Sequence, residues 1–241
     1  MAVPQDPPLR RAAGPALLLC LALTTPASAE DVPLGRSTEG RAIGAVRLGD
    51  PDSPRKVLVV GAIHGNEVAG MRVTRALRKR GAAEGVDLWV VDTVNPDGVA
   101  RGTRGNSRGV DLNRNFPRRW RRSSRRGPYY SGKRPLSERE ARIVARLIER
   151  IRPAVTIWYH QPWGAVLLPC SGPAPLERLY MDTARFPGER CRGAGLRGTA
   201  TSWQRHEFGS TAFVVELPRG GISARAAERH ARAAAAVAAG G

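Results

Sequence analysis

The chain has 241 residues, of which 41% are hydrophobic and 25% are charged, and its formal net charge at pH 7 is +18. This length suits one domain with a sizeable core, and the absence of internal repeats and long linkers from the sequence argues against a repeat architecture. All but three of the 39 basic residues are arginines. The excess indicates either an anionic partner or a genome that favours arginine codons, and no nucleic-acid-binding motif accompanies it.

Residues 1–29 have the pattern of an export signal. An arginine pair precedes an apolar run at residues 14–23, and a small-residue cleavage site ends at Ala29. The apolar run is too short to span a bilayer as a stable helix. We therefore predict a secreted or extracytoplasmic protein that is cut after Ala29, with residues 30–241 forming one domain. An uncleaved anchor is the alternative.

The first predicted strands are Arg41–Leu48 and Lys56–Val60, and the turn at Gly49–Pro54 suggests that they form a hairpin. The second strand leads into a turn that contains His64 and Glu67. Open α/β sheets bind ligands where their strands end. An imidazole and a carboxylate three residues apart suit Zn²⁺, although a helix-starting glutamate beside an unrelated histidine would look the same.

A helix is predicted at Val68–Arg80 and a strand at Asp87–Val94. The segment Asn95–Tyr130 is too rich in Gly, Pro, Asn and Arg for regular structure, and loops of this length are usually functional or disordered. We interpret it as an active-site wall. Its basic stretch, Arg118–Arg126, suits either an anionic cell-envelope polymer or plain solvation.

Ser137–Glu140 matches a capping box and predicts the start of an amphipathic helix at Glu138–Arg152. A buried strand is predicted at Ala154–Tyr159, and a shorter apolar run follows at Ala165–Leu168.

The last predicted elements are a helix at Pro175–Phe186, a core strand at Thr211–Leu217 and an alanine-rich helix at Ser223–Ala239, in which His230 is expected to be exposed. Strands that alternate with helices predict an α/β fold with a mixed parallel and antiparallel sheet covered by helices.

Five further segments follow the His64 turn in an order that resembles the zinc carboxypeptidase family. They are Asn95–Gly98, Arg104–Asn106, Asp111–Pro117, Trp158–His160 and Phe213–Pro218. The likeness runs from about Val57 to Pro218. It implies a sheet sandwiched between helices, and it is closest to bacterial secreted members, including murein-peptide amidases that cut the γ-D-glutamyl-diaminopimelate bond.

A catalytic zinc needs three protein ligands and an open position. The resemblance implies one Zn²⁺ held by His64, Glu67 and His160. His160 follows a β-rich apolar run, which would hold it accurately on a rigid element. His206 is the competitor for third ligand, but it lies in a polar stretch with no predicted strand before it.

Glu216 lies in an apolar predicted strand, where a carboxylate is costly unless something compensates it. The resemblance gives it the role of the general base, which takes a proton from water and passes it to the leaving amine.

Three further residues complete the implied site. Arg104 matches the family arginine that stabilises the oxyanion, although Arg101 or Arg108 could take that role in so arginine-rich a chain. Asn113 and Arg114 match the pair that grips the substrate's terminal carboxylate, which suits the fixed fork of a guanidinium.

One feature of the digestive family members is missing. They have a tyrosine about twenty residues before the catalytic glutamate, which closes over the substrate, whereas Arg192–Trp203 contains none. His206 or a residue in Thr199–Gln204 could cover the site instead.

Removal of the predicted signal peptide would leave a mature chain with two cysteines, Cys170 and Cys191. An even count in an exported chain predicts a disulfide, which stabilises the fold by about 3 kcal/mol on the chain-entropy model. Two free thiols are the alternative, and zinc thiolates fit the spacing poorly.

These observations together predict a secreted zinc metallocarboxypeptidase that hydrolyses an amide bond next to a free carboxylate, with cell-wall peptides as the leading substrate and no nucleic-acid partner. The alternatives are an N-acyl amino acid deacylase of the same superfamily and a non-catalytic, basic envelope-binding module. The side chain preferred by the enzyme, whether basic, apolar or diaminopimelate, is left open.

Overall fold

The computed structural model describes residue 1 and residues 29–123, 127–192 and 195–240. The predicted export signal therefore lies, apart from its end residues, outside the described part of the chain. Within the described ranges, no helix is both long enough and apolar enough to cross a membrane.

The elements in chain order are β1 (Glu30–Arg36), β2 (Ala42–Gly49), β3 (Lys56–Val60), α1 (Gly70–Arg80), β4 (Asp87–Val91), α2 (Pro96–Arg101), a 3₁₀ turn (Leu112–Arg114), α3 (Arg139–Ile151), β5 (Val155–His160), β6 (Trp163–Leu168), α4 (Pro175–Ala184), β7 (Gly188–Arg190), α5 (Ala200–Phe208), β8 (Thr211–Pro218) and α6 (Ala224–Ala239).

These strands form one sheet in the order β1-β2-β4-β3-β5-β8-β6-β7. The four central strands, β4, β3, β5 and β8, run parallel to one another, and β2 and β6 flank them in antiparallel pairs. Every residue of β4 and β5 is buried. Parallel strands are covered on both faces, which is why they carry continuous apolar runs and not an alternating pattern.

Helices cover both faces of the sheet. Along β3, Leu58 and Val59 point to opposite faces and enter different core clusters. The cluster of Val59 includes Leu77 of α1 and Ala231 of α6, together with residues of α4. The cluster of Leu58 includes Leu147 of α3 and residues of α5. The mixed sheet sandwiched between helices, predicted from the sequence, is confirmed.

The hairpin predicted from the Gly49–Pro54 turn is wrong. β2 pairs with β1 and β4, and β4 in turn pairs with β3, so a strand separates the two members of the predicted hairpin. Because β4 is wholly buried, its backbone needs a hydrogen-bonding strand on each side. The partner of β2 at the sheet edge, β1, is not predicted from the sequence, since Pro33 and Gly35 interrupt its pattern and its register shifts there.

The segment Asn95–Tyr130 is more regular than predicted, since it contains α2 and the 3₁₀ turn. The Asn95 side chain accepts a hydrogen bond from the N–H of Gly98 at 3.0 Å, and Asp111 accepts one from the N–H of Asn113 at 2.9 Å. Asn and Asp residues that indicate a loop by composition thus act as helix N-caps.

The predicted capping box at Ser137–Glu140 is wrong, and α3 begins at Arg139. The Ser137 hydroxyl donates to the carboxylate of Glu138 at 2.7 Å. The Glu140 carboxylate accepts from the N–H of Thr38 at 2.7 Å and from the side chain of Asn106 at 3.0 Å. Contacts with distant segments therefore replace the local cap.

His230 is buried, which contradicts the exposed position predicted for it. Its Nδ1 lies 2.8 Å from the hydroxyl of Tyr180, which in turn lies 3.0 Å from the hydroxyl of Tyr159. The alanine-rich face of α6 packs against α4, and His230 fills that contact beside Phe186.

Acid is expected to destabilise the protein through His230. Burial, assisted by the charge of Arg229, lowers its pKa to about 4, whereas the unfolded value is about 6.5. The folded state binds this proton more weakly than the unfolded state. The contribution of His230 to the free energy of unfolding is therefore fully present above the pKa of the unfolded state, and about 3 kcal/mol of it is lost as the pH drops to the pKa of the folded state. Between neutral pH and pH about 4, the unfolding free energy of wild type should therefore fall about 3 kcal/mol further than that of His230→Gln. Parallel curves would contradict the expectation.

Candidate active site and metal centre

The three predicted metal ligands meet at one edge of the sheet. His64 and Glu67 lie in the turn after β3, and His160 is the last residue of β5, the parallel neighbour of β3. The turn packs closely on α2, because a Cβ at Gly65 would lie 1.9 Å from the carbonyl carbon of Gly98. The two imidazole rings come to 4.8 Å between centroids.

Three donor atoms converge there. The Nδ1 atoms of His64 and His160 each lie 2.9 Å from Oε2 of Glu67, and the ligand atoms all lie within 4.8 Å of one another. The three side chains are buried. Two imidazoles and one carboxylate are a ligand set that Zn²⁺ takes in catalytic sites that keep a fourth position open.

His64 tests whether these residues suit a metal. Its Nε2 lies 2.9 Å from Oδ1 of Asp111, an arrangement in which Nε2 carries the proton and Nδ1 keeps its lone pair. Nδ1 is buried and has no hydrogen-bond partner among the described residues, although Oε2 of Glu67 lies 2.9 Å from it. An unpartnered buried polar atom is costly, and a metal ion would supply the missing partner. The residues therefore fit zinc.

Asp111 is a functional candidate that the sequence reasoning missed. Burial alone would raise its pKa, but the contact with His64 and the charges of Arg104 and Arg114 outweigh burial and lower the pKa. The side chain is therefore a carboxylate that orients His64. Its neighbours Val110 and Leu112 are apolar and buried. A charged residue between two apolar residues is the sequence feature that could have identified Asp111 as a functional candidate.

We expect one zinc ion per chain, measured by metal analysis of the purified protein. His160→Ala should reduce the zinc content well below one, since only two ligands remain. His206→Ala is the matched control, because it removes an exposed histidine from the cleft wall, and its zinc content should stay near one. Full zinc in the first variant with loss in the second would make His206 the third ligand.

Arg104 connects the metal-binding residues to the cleft. Its Nη1 lies 2.7 Å from Oε1 of Glu67, and its Nε lies 3.0 Å from Oδ2 of Asp111. The two other candidates for the oxyanion role, Arg101 and Arg108, pair with carboxylates that do not line the cleft as the structure describes it. Arg104 is thus the best placed of the three.

Asn113 and Arg114 lie in the 3₁₀ turn beside His160. The amide oxygen of Asn113 accepts from the N–H of Ala200 at 2.9 Å, and its Nδ2 lies 3.4 Å from Nε2 of His160. Nη1 of Arg114 donates to the carbonyl of Asn113 at 2.7 Å. Burial lowers the pKa of Arg114, yet a guanidinium stays charged in proteins and has five donors, so others are left for a ligand.

Glu216 lies on β8 directly opposite His160 in the parallel register. It is buried, and burial raises the pKa of its carboxyl group while the neighbouring imidazole of His160 opposes that shift. Its Oε2 lies 3.5 Å from the backbone nitrogen of Trp163. A carboxylate whose pKa is raised towards the working pH is a better general base than an exposed one.

One cleft of about 1060 Å³ is lined by the three metal-binding residues together with Arg104, Asn113, Arg114 and Glu216. Its wall also contains four further arginines and two partly exposed aromatic residues, Tyr129 and Trp163. Cys170 and Cys191 lie on the same wall and form the predicted disulfide, with their Cα atoms 4.5 Å apart. The bond connects the ends of β6 and β7, and the basic wall suits an anionic ligand.

Helix α5 forms another part of the wall and is not predicted from the sequence. The Thr199 side chain caps it by accepting from the N–H of Ser202 at 3.2 Å. His206 lies on this helix, exposed and facing the cleft. The metal-binding group found among the described residues contains His160 and not His206.

Comparison with known proteins agrees with this arrangement. A family model described as zinc carboxypeptidase matches residues 16–174. Murein peptide amidase A from Escherichia coli K12 is 39% identical over 89 residues, which cover 32% of this chain and 37% of that protein. The protein of the same name from Vibrio campbellii is 29% identical over 130 residues, 48% of this chain and 51% of that one. The chain thus aligns with only part of the length of these curated relatives.

Two solved structures are also similar. The murein-tripeptide amidase MpaA from Escherichia coli O157 has a TM-score of 0.71 at 26% identity, over 86% of this chain and 91% of that one. Carboxypeptidase A from Helicoverpa armigera has a TM-score of 0.73 at 20% identity, over 86% and 69%, a likeness that shows the fold alone. Because the family match spans more than half of the sequence, this chain belongs to the zinc carboxypeptidase family.

Proposed function

We propose that this chain is an exported zinc-dependent carboxypeptidase that hydrolyses an amide bond next to a free carboxylate, with murein peptides as its substrate class. One observation supports this most. A three-ligand donor set, the carboxylate of Glu216 and the guanidinium groups of Arg104 and Arg114 all line a single cleft. Each of these groups has a role in metal-assisted hydrolysis of an amide bond next to a carboxylate.

Each group has its own role in the proposed reaction. When bound, zinc would act as a Lewis acid that polarises the carbonyl group of the substrate. Glu216 accepts a proton from the attacking water and delivers it to the leaving amine, while Arg104 donates hydrogen bonds to the oxyanion that forms on the carbonyl. Arg114 binds the terminal carboxylate through charge-assisted hydrogen bonds. Since Glu67 and Asp111 already hold Arg104, its guanidinium is oriented before the substrate binds.

Murein peptides are favoured by two observations. The curated relatives are murein peptide amidases, and the cleft wall carries four arginines, Arg118, Arg119, Arg205 and Arg219, in addition to the two assigned above. A γ-D-glutamyl-diaminopimelate peptide has several carboxylates, so a strongly basic cleft would attract it.

Export and an anionic envelope partner are supported by other features. The disulfide suits an oxidising compartment. In the stretch 118–126, of which residues 124–126 lie outside the described part, the four described arginines are exposed. We take residues 30–241 as one catalytic domain and an anionic cell-envelope polymer as its partner.

A substrate panel tests the proposal. The zinc-loaded protein would be assayed on a murein tripeptide, on ordinary peptides with free C-termini and on N-acyl amino acids. The proposal expects the highest kcat/KM on the murein tripeptide. Faster turnover of N-acyl amino acids would favour the deacylase, and binding to an anionic polymer without any turnover would favour the non-catalytic module.

A further inference from the structure

Tyr129 lies in the cleft against both of the arginines assigned to substrate. The guanidinium carbon of Arg104 lies 5.1 Å from the centroid of the Tyr129 ring, and that of Arg114 lies 5.5 Å from it. Both distances fall within the range of about 6 Å at which a cation is attracted to an aromatic face. The residue nevertheless stays 61% exposed, so its ring is also open to whatever enters the cleft.

The backbone around Tyr129 is held by the segment that carries the site. The Ser123 hydroxyl donates to the carbonyl of Tyr129 at 3.3 Å, and the N–H of Asp111 donates to the carbonyl of Tyr130 at 2.8 Å. Asp111 is also the carboxylate that binds Arg104, and the turn with Arg114 follows it directly. The ring and the two guanidinium groups are therefore positioned by one connected structure.

The two arginines would otherwise repel each other. Burial and the nearby charge of Arg104 both lower the pKa of Arg114, and Asp111 offsets them only in part. An aromatic ring presents negative potential on its faces, so a ring in contact with two guanidinium groups stabilises both. Without it, Arg114 would gain freedom to turn away, whereas Arg104 is also held by Glu67 and Asp111.

We propose that Tyr129 is a positioning residue, whose ring, packed against the fixed guanidinium of Arg104, holds the guanidinium group of Arg114 where the substrate's terminal carboxylate binds. This inference rests on the proposed function, because it takes the role of Arg114 from there. The contacts are made to the ring, so the ring and not the hydroxyl carries the role.

Steady-state kinetics of Tyr129→Leu and Tyr129→Phe on a free-acid peptide test the inference. Loss of the cation–π contact with the partly buried Arg114 should raise KM about fivefold to thirtyfold in the leucine variant. The change in kcat should be smaller, because Arg104, the arginine assigned to the oxyanion, is also held by Glu67 and Asp111. The phenylalanine variant keeps the ring and should stay within about twofold of wild type. KM for the matched C-terminal amide should change less, because that substrate does not use the carboxylate contact of Arg114.

Phe208→Leu is the matched control, since it removes an arginine–aromatic contact, Arg152 with Phe208 at 4.4 Å, from a position that does not line the cleft as described. Its KM should match wild type. Equal thermal midpoints and zinc contents in all variants would show that folding is intact. An unchanged KM in Tyr129→Leu, or an equal loss in Tyr129→Phe, would overturn the inference.

A binding measurement separates this inference from the proposed function. Calorimetric titration of wild type and Tyr129→Leu with a free-acid dipeptide needs no turnover, and the dissociation constant should rise by the same factor as KM. If wild type hydrolysed none of the panel but this shift were seen, the proposed function would fail and the inference would stand. An equal dissociation constant in both proteins would overturn the inference even if hydrolysis were confirmed.

Discussion

Replacing Glu216 with glutamine is expected to lower kcat by about 100-fold to 10,000-fold, the range for a lost general base, while the protein keeps its zinc. Glutamine preserves the shape of the side chain but cannot accept a proton from water. Glu216 is buried on β8 opposite His160 and lies outside the metal-binding group of His64, Glu67 and His160. The substitution should therefore remove the base without disturbing the metal ligands.

Turnover of a free-acid peptide and zinc content, measured on the same samples, check this expectation. Glu177→Gln is a suitable control, because Glu177 is also buried with a pKa raised by burial, and it does not line the cleft as the structure describes it. The control should keep activity within a few-fold of wild type. If Glu216→Gln were equally active, Glu216 would be structural and the assignment of the base would be wrong.

The parts of the site that could be predicted from the sequence are those carried by single, continuous segments. The run Val57–Val60 is apolar and β-branched, so its burial and the turn after it follow from composition alone. His160 ends a similar run. Because parallel strands place their carboxyl ends together, two such runs were enough to predict that His64 and His160 come close.

Features that depend on distant contacts could not be predicted in this way. The insertion of β4 between β2 and β3 is a choice of strand partner, which local pattern does not encode. Glu140 fits a capping box in sequence, but it binds the backbone of Thr38, about a hundred residues earlier. Asp111 caps the 3₁₀ turn locally, but it orients the ring of His64, 47 residues away. These tertiary hydrogen bonds lie beyond what the local preferences of the residues predict.

Amidation of the substrate's C-terminus is expected to lower kcat/KM of the wild-type enzyme by about tenfold to a hundredfold or more. A charge-assisted contact with the carboxylate contributes about 1.5 to 3 kcal/mol, and the amide loses it. Arg114 lines the cleft on the 3₁₀ turn, beside His160 and within contact of the Tyr129 ring that also contacts Arg104. Only one of its nitrogens is bound by the carbonyl of Asn113, so its guanidinium can grip a carboxylate.

Arg114→Ala should therefore lose most of the discrimination between acid and amide, because the contact that distinguishes them would already be absent from the variant. The measurement needs paired free-acid and amide peptides assayed on wild type, on Arg114→Ala and on Arg101→Ala, a control that removes an exposed arginine paired with Glu39. Wild type and the control should show the same ratio of rates. Equal rates on acid and amide in the wild type would indicate an endopeptidase and refute carboxylate recognition, whereas a ratio that persists in Arg114→Ala would assign that recognition to another arginine of the cleft.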